Sequence, residues 1–256
     1  MPHNNCGKNE SSYTQSHIKR RSWWIFLGDF LFPRTCLVCR KIGKYICLGC
    51  QGKLSTTHKQ YCLECGAASM LGLTHIRCRR KYGAQGFTAV YYYNGALKRV
   101  IGGCKYPGSR LVLEELLVAS QKPLEHAVRQ WREACLINQN THLIPLPLHP
   151  KRQRQRGFNQ AQIIAEYIGR ISGMRLRSDL LMRTTNTKQQ AKLKGDKQRK
   201  QNIRGAFALA KGVRDIPQGV VLVDDVVTTG HTAREAVSTL IRAGVRHVYV
   251  IALAKG

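Results

Sequence analysis

Hydrophobic and polar positions along the chain fall into two textures, one before and one after about residue 85. In the second, apolar runs alternate with amphipathic stretches. AVYYYN (89–94) is aromatic and β-branched, the composition of a strand. Leu111–Ser120 and Leu124–Ala134 have helical spacing. HLIPLPL (142–148) reads as a buried strand breaking into a proline-marked loop, and Ala161–Ile171 as a helix with one apolar face. Residues 183–205 are polar and basic, a loop or an exposed helix. GVVLV (219–223) is a continuous apolar run, Ala233–Ala243 a helix stopped by Gly244, and HVYVIAL (247–253) a further strand. This strand–loop–helix–strand order predicts a parallel sheet with a right-handed crossover, hence an α/β fold.

The first texture is different. Residues 1–21 are polar and basic, a loose tail. Trp23–Phe32 is apolar but interrupted by Gly28 and Asp29, far too short to span a membrane and without a small-residue cleavage site. It reads as an amphipathic helix ending at Pro33, and the protein is expected to be cytoplasmic. Seven of the ten cysteines then fall between 36 and 78, in two degenerate copies. A reducing compartment favours metal over disulfides. In the first copy Cys36, Cys39, Cys47 and Cys50 form two CxxC knuckles, a tetrahedral thiolate shell that suits structural zinc. In the second, Cys62, Cys65 and Cys78 are joined by His75, whose imidazole can replace a thiolate. The repetition favours one metal per copy, and a crossed arrangement stays open. Cys6, Cys104 and Cys135 stand alone and read as incidental thiols.

The sharpest chemical signal is VVLVDDVVTTGHT (220–232). The strand delivers Asp224 and Asp225 to its carboxyl end, the edge where open α/β sheets bind ligands. Thr228, Thr229, Gly230, His231 and Thr232 follow at a helix start, where backbone N–H groups, the helix dipole and hydroxyls can cradle a phosphate. Carboxylates beside a phosphate make sense if they accept hydrogen bonds from ribose hydroxyls, so a ribose 5-phosphate is the natural ligand. The motif looks like the one by which type I phosphoribosyltransferases bind 5-phosphoribosyl 1-diphosphate (PRPP). There is no Walker-type GxxxxGK[ST] loop and no GxGxxG after a strand.

Charge changes the picture of partners. Forty-two Lys+Arg against 14 Asp+Glu give a net +28, which attracts polyanions. Arg152 and Arg156 bracket a polar loop after the 142–148 strand, and arginine's planar fork suits phosphate or diphosphate. Residues 183–205 add Lys194, Lys197, Arg199 and Lys200, a candidate track for single-stranded DNA, though a basic run also serves simply to solvate a face.

Taken together these motifs resemble the ComF family, GntX-type members included. The matching features are the double CxxC units, Pro145-Leu146-Pro147-Leu148 with Arg152 and Arg156-Gly157-Phe158-Asn159-Gln160, Thr187 with Gln190, Leu193, Arg199 and Asn202, and Val223–Thr232. Tyr91–Lys105, running into CKYPGSR, also looks like a family segment. His75 in place of cysteine is a departure, as is the long basic tail. The resemblance implies a type I phosphoribosyltransferase-like parallel sheet with flanking helices, preceded by a small cysteine-rich module carrying two structural zinc ions. The expected organisation is a tail and helix over 1–33, a double zinc-ribbon-like module over 34–84 and the phosphoribosyltransferase-like domain over 85–256. It further implies handling of single-stranded DNA in natural transformation or growth on DNA, with DNA-uptake or recombination proteins as partners. If the domain turned over PRPP, Asp224 and Asp225 would hold the ribose, Thr228–Thr232 the 5-phosphate, and Arg152 and Arg156 the diphosphate bridged by Mg²⁺. No residue stands out as a general base. Three classes therefore compete: a DNA-handling protein with a ribose-phosphate site, a salvage phosphoribosyltransferase, and a scaffold with vestigial sites. The intact Asp-Asp-x-x-Thr-Thr-Gly signature argues against the third, and the zinc module and charge favour the first.

Overall fold

The computed structural model describes residues 33–104, 109–186 and 203–256. The tail, the Trp23–Phe32 helix, residues 105–108 and the segment carrying Thr187, Gln190, Leu193, Lys194, Lys197, Arg199, Lys200 and Asn202 lie outside the described residues.

The cysteine module is built from tight turns, with a short helix α1 (Leu48–Gln51) that starts after Cys47 and carries Cys50. The chain then enters β1 (Gly86–Tyr92), α2 (Gly95–Gly103), α3 (Arg110–Ala119), α4 (Gln121–Glu133) and β2 (Thr141–Pro145). Next come α5 (Pro150–Arg156), α6 (Gln160–Ser172), β3 (Arg175–Leu176), β4 (Leu181–Arg183) and β5 (Phe207–Leu209). The chain ends with β6 (Gly219–Val227), α7 (His231–Arg242) and β7 (His247–Lys255).

Five strands form one parallel sheet in the order β1-β7-β6-β2-β3, while β4 and β5 pair antiparallel beside it. Helices cover both faces, as an all-parallel sheet requires. Alternation along the strands sorts the core in two. Leu143, Val221, Val223, Ile251 and Leu253 pack with α2, α3, α4 and α6 on one face. Ile144, Val220, Leu222, Val250 and Ala252 pack with α7 and the β4–β5 pair on the other. This is the phosphoribosyltransferase-like α/β architecture expected, with the cysteine module in front of it.

The strand order contains a switch point. β2 leads outward to β3, whereas β6 leads the opposite way to β7, so connections diverge between β2 and β6. Such a switch point opens a crevice at the strands' carboxyl ends. Leu146 N–H donates to Val223 O at 2.8 Å, so β2 ends one residue short of the Asp pair.

Three expectations need correcting. Arg152 and Arg156 do not bracket a loop: Pro150 sits at the first helical position and the His149 ring caps Lys151 N–H, so the segment starts a short helix. The β6 strand runs past Val223 to Val227, because β7 registers with it through Val226↔Ala254, so the Asp pair lies within the strand. The 183–205 segment starts in a strand, not a loop: Arg183 ends β4 and pairs with Phe207 of β5.

The cysteine module covers the outer edge of β1. Isolated bridges join Thr56 to Tyr91 and Leu73 to Gly86, which keeps that edge from pairing with another chain. Trp131 Nε1–H donates to Leu71 O at 2.9 Å and Ile46 N–H to Glu115 Oε2 at 3.0 Å. Cys36, Ile46 and Cys50 belong to one face's core and Leu63 to the other, so the module grips the sheet from both sides.

Candidate functional site

The metal sites are assembled locally. The ligand atoms of Cys36, Cys39, Cys47 and Cys50 lie within 4.8 Å of one another, and so do those of Cys62, Cys65, His75 and Cys78. Each copy therefore closes its own shell, and the crossed arrangement is not the one adopted. Zn–S bonds of about 2.3 Å in a tetrahedron set sulfurs about 3.8 Å apart. Cys39 Sγ and Cys47 Sγ stand at 3.6 Å, and Cys65 Sγ and His75 Nδ1 at 3.4 Å, which fits. His75 Nε2 meets Ala68 O at 3.1 Å, the outer hydrogen bond that fixes a ligating imidazole. Burial raises the Cys36 thiol, but the N–H groups of Cys47, Cys39 and Val38 outweigh it and bring it down to about 6. Burial, followed by the neighbouring sulfurs of Cys39, Cys47 and Cys36, pushes Cys50 up to about 12. Four thiols this close resist ionising together, and a divalent cation removes that penalty.

The second cluster of chemistry is at the switch point. Consecutive strand residues face opposite ways, so Asp224 shares a side with Leu222 and Asp225 with Val223. Asp224 Oδ1 accepts from Asp225 N–H at 2.8 Å, and Asp225 Oδ1 from Val226 N–H at 2.8 Å. Burial, then the charge of Asp225, raises the Asp224 carboxyl well above its ordinary range, with Arg183 opposing. Beyond β6, Thr228 is exposed, while Thr229, His231 and Thr232 are half-buried. Gly230 has φ +74° and forms the cap of α7, a left-handed conformation that glycine adopts without strain.

The two arginines lie on α5. Arg152 and Arg156 are half-buried while Lys151, Gln153, Arg154 and Gln155 are exposed, as a four-residue repeat on one face gives. Arg156 Nη1–H donates to Gln160 Oε1 at 3.1 Å, and Gln160 Nε2–H to Cys104 O at 2.9 Å. Asn159 caps α6 through Ala161 N–H and donates to Leu146 O at 3.1 Å, pinning α6 to the end of β2. The GFNQ run thus joins two helices and is fixed to the end of β2.

Two residues join the site that the sequence did not single out. Arg183 is 8 % exposed, and its guanidinium lies 5.3 Å from the centre of the Phe207 ring. Burial, then Arg152, lowers it to about 10; Asp224 pulls the other way, so Arg183 sits in the field of both groups. Arg152 is lowered by burial and then by Arg156. Such a group of cations is what an anion relieves. The other residue is Arg234, on the first turn of α7, whose Nη1 lies 3.1 Å from His231 Nδ1. Beside it a cleft of about 680 Å³ is lined by Arg80, Lys81, Tyr82, Arg204 and Thr229. The Arg242 guanidinium lies 4.7 Å from the centre of the Tyr82 ring. Among the described residues no helix is long and apolar enough to cross a membrane.

The family model of a double zinc ribbon domain matches residues 27–80, and with the two four-ligand clusters this supports structural zinc. The chain is 29 % identical over 231 residues to "Competence protein F" of Haemophilus influenzae, covering 88 % of this chain and 98 % of that protein. It is 31 % identical over 229 residues to "DNA utilization protein YhgH" of an Escherichia coli O6:H1 strain, covering 87 % and 97 %. It is 26 % identical over 213 residues to "Competence protein ComFC" of Bacillus subtilis, covering 80 % and 81 %.

Proposed function

We propose, on the premise that the chain belongs to the ComF family of competence and DNA-utilisation proteins, that it binds PRPP or a related ribose 5-phosphate and handles single-stranded DNA during DNA uptake or utilisation. One observation carries the ligand half. Adjacent carboxylates, Asp224 and Asp225, and an N–H cradle at Thr228–Thr232 meet at the switch point of a parallel sheet. The cradle holds the 5-phosphate, the carboxylates accept the ribose hydroxyls, and Arg152 and Arg156 face the diphosphate with Arg183 behind them. Mg²⁺ bound with PRPP supplies charge neutralisation to the diphosphate.

The DNA half rests on the relatives' names, the net charge of +28 and the Tyr82 cleft, which puts an aromatic ring among cations beside Thr229. Single strands offer phosphates and open base faces to such a surface. Lys194, Lys197, Arg199 and Lys200 extend this reading along the chain. The arginines at the crevice also favour a second reading, a phosphoribosyltransferase that displaces pyrophosphate through oxocarbenium-like charge.

Melting temperature with PRPP and Mg²⁺ tests the ligand reading, since a ligand specific to the folded state stabilises by mass action. A rise is expected in wild type and none in Asp224→Asn/Asp225→Asn; no rise in wild type overturns it. Pyrophosphate release with a panel of bases separates turnover from binding.

A further inference from the structure

The second zinc knuckle and the start of α7 are far apart in sequence and touch in space. Arg234 makes the junction. Its Nη2–H donates to Leu63 O at 2.9 Å and Glu64 O at 3.3 Å, two backbone carbonyls inside the Cys62–Cys65 knuckle. Its Nε lies 3.4 Å from Glu64 Oε2, a carboxylate whose side chain is 5 % exposed. Arg80 reaches the same oxygen at 3.4 Å, but its side chain is 69 % exposed, so Arg234 is the sheltered partner. The remaining arm, Nη1, meets His231 in the cradle.

Packing reinforces these bonds. A Cβ at Gly230 would lie 3.1 Å from Leu63 Cδ1 and 3.3 Å from Arg234 Nη2, so the knuckle leaves no room for a side chain at this turn. Leu63 is buried with Ala233, Ala236 and Val237 of α7. Backbone bonds from Cys62 N–H to Ala67 O and from Gly66 N–H to Cys62 O, both 2.9 Å, shape the knuckle, and a metal held by Cys62 and Cys65 would fix its carbonyls further. A planar fork that reads two such carbonyls, a carboxylate and an imidazole transmits their placement to the helix start.

We propose that Arg234 is a positioning residue that couples the second zinc site to the cradle, so that metal at Cys62, Cys65, His75 and Cys78 sets the geometry of residues 228–232 and their affinity for ribose 5-phosphate. The affinity clause rests on the ribose-phosphate reading above; the coupling itself does not. Coupling between sites is reciprocal in binding free energy, so ligand in the cradle raises the zinc affinity of the second site alone.

The test is amide hydrogen exchange on the full chain, read over residues 226–234 and, as a reference, over α6. It compares zinc-loaded wild type, Arg234→Lys and Cys65→Ser. Arg234→Lys keeps the charge but not the fork, and guards against misfolding of the knuckle variant. Several-fold faster exchange at 226–234 with α6 unchanged is expected in both variants. Exchange in Arg234→Lys that matches wild type overturns the proposal, and so does acceleration spread equally over α6, which reports general destabilisation. On the same samples, ribose 5-phosphate should bind roughly tenfold more weakly to Arg234→Lys, within the usual range of site-to-site coupling. In wild type it should lower the share of one of the two zinc ions held by 4-(2-pyridylazo)resorcinol at equilibrium, and in Arg234→Lys it should not. If wild type binds no ribose 5-phosphate, the ribose-phosphate reading falls, and the exchange at 226–234 still decides the coupling.

Discussion

Replacing Gly230 by alanine perturbs the cradle at its tightest point. Two costs add. The residue holds φ +74°, and placing an L side chain in that region costs about 1–2 kcal/mol. The new methyl would also stand 3.1 Å from Leu63 Cδ1 and 3.3 Å from Arg234 Nη2, both ends of side chains that must yield a few tenths of an ångström. Together these come to about 2 kcal/mol, roughly 4–8 °C in melting temperature for a chain of this size. Gly173 is the control. It caps α6 at φ +71° with nothing within 4 Å of its Cβ position, so Gly173→Ala carries only the backbone cost. Urea unfolding gives the stability difference and titration with ribose 5-phosphate the functional one. Gly230→Ala should lose both stability and at least tenfold in affinity, whereas Gly173→Ala should lose stability alone. A Gly230→Ala protein with wild-type affinity would refute the argument that this turn shapes the ligand site.

Purified protein should hold two zinc ions; Cys39→Ser should lose one and His75→Ala only the second, as atomic absorption reads directly, and chelation should unfold the module. Asp224→Asn should raise stability at neutral pH by about 0.5–2 kcal/mol while abolishing PRPP binding, a trade common at functional sites. The sign follows from linkage: a carboxyl raised in the folded state binds more protons there than in the unfolded chain, so its contribution falls as pH climbs above the ordinary 3.8, and the amide removes that loss. Urea unfolding of both proteins across pH checks it, with the gap closing toward acid. Reversing Lys194, Lys197, Arg199 and Lys200 to Glu should weaken single-stranded DNA binding for all sequences alike. It should also flatten the salt dependence by roughly 0.7 log units for each phosphate no longer neutralised, measured by fluorescence anisotropy; an unchanged slope would leave these charges a solvating role.

What the sequence made legible was whatever is local. Asp224, Asp225 and Thr228–Thr232 are contiguous, and strand, turn and helix start follow from hydrophobic runs and one glycine. The eight metal ligands were equally readable, since each set lies within 17 residues, though their local pairing came only with the structure. Arg183 and Arg234 were not, because their meaning depends on partners distant in the chain. Arg234 meets Leu63 across 171 positions, and Arg183 enters the field of Asp224 only through the β4–β5 pair. The prolines at 145, 147 and 150 misled in one place: Pro147 marks a loop, but Pro150 begins a helix because a histidine ring caps it. The covering of the β1 edge was invisible for a similar reason, since two isolated bridges leave no periodic trace.

Calorimetric titration of one purified, zinc-loaded sample with PRPP and Mg²⁺, followed on the same sample by single-stranded DNA, tests the central claim most directly. One PRPP site per chain is expected, absent in Asp224→Asn/Asp225→Asn, with DNA binding that survives that double substitution. No heat of PRPP binding in wild type, or equal binding by the double variant, would contradict it.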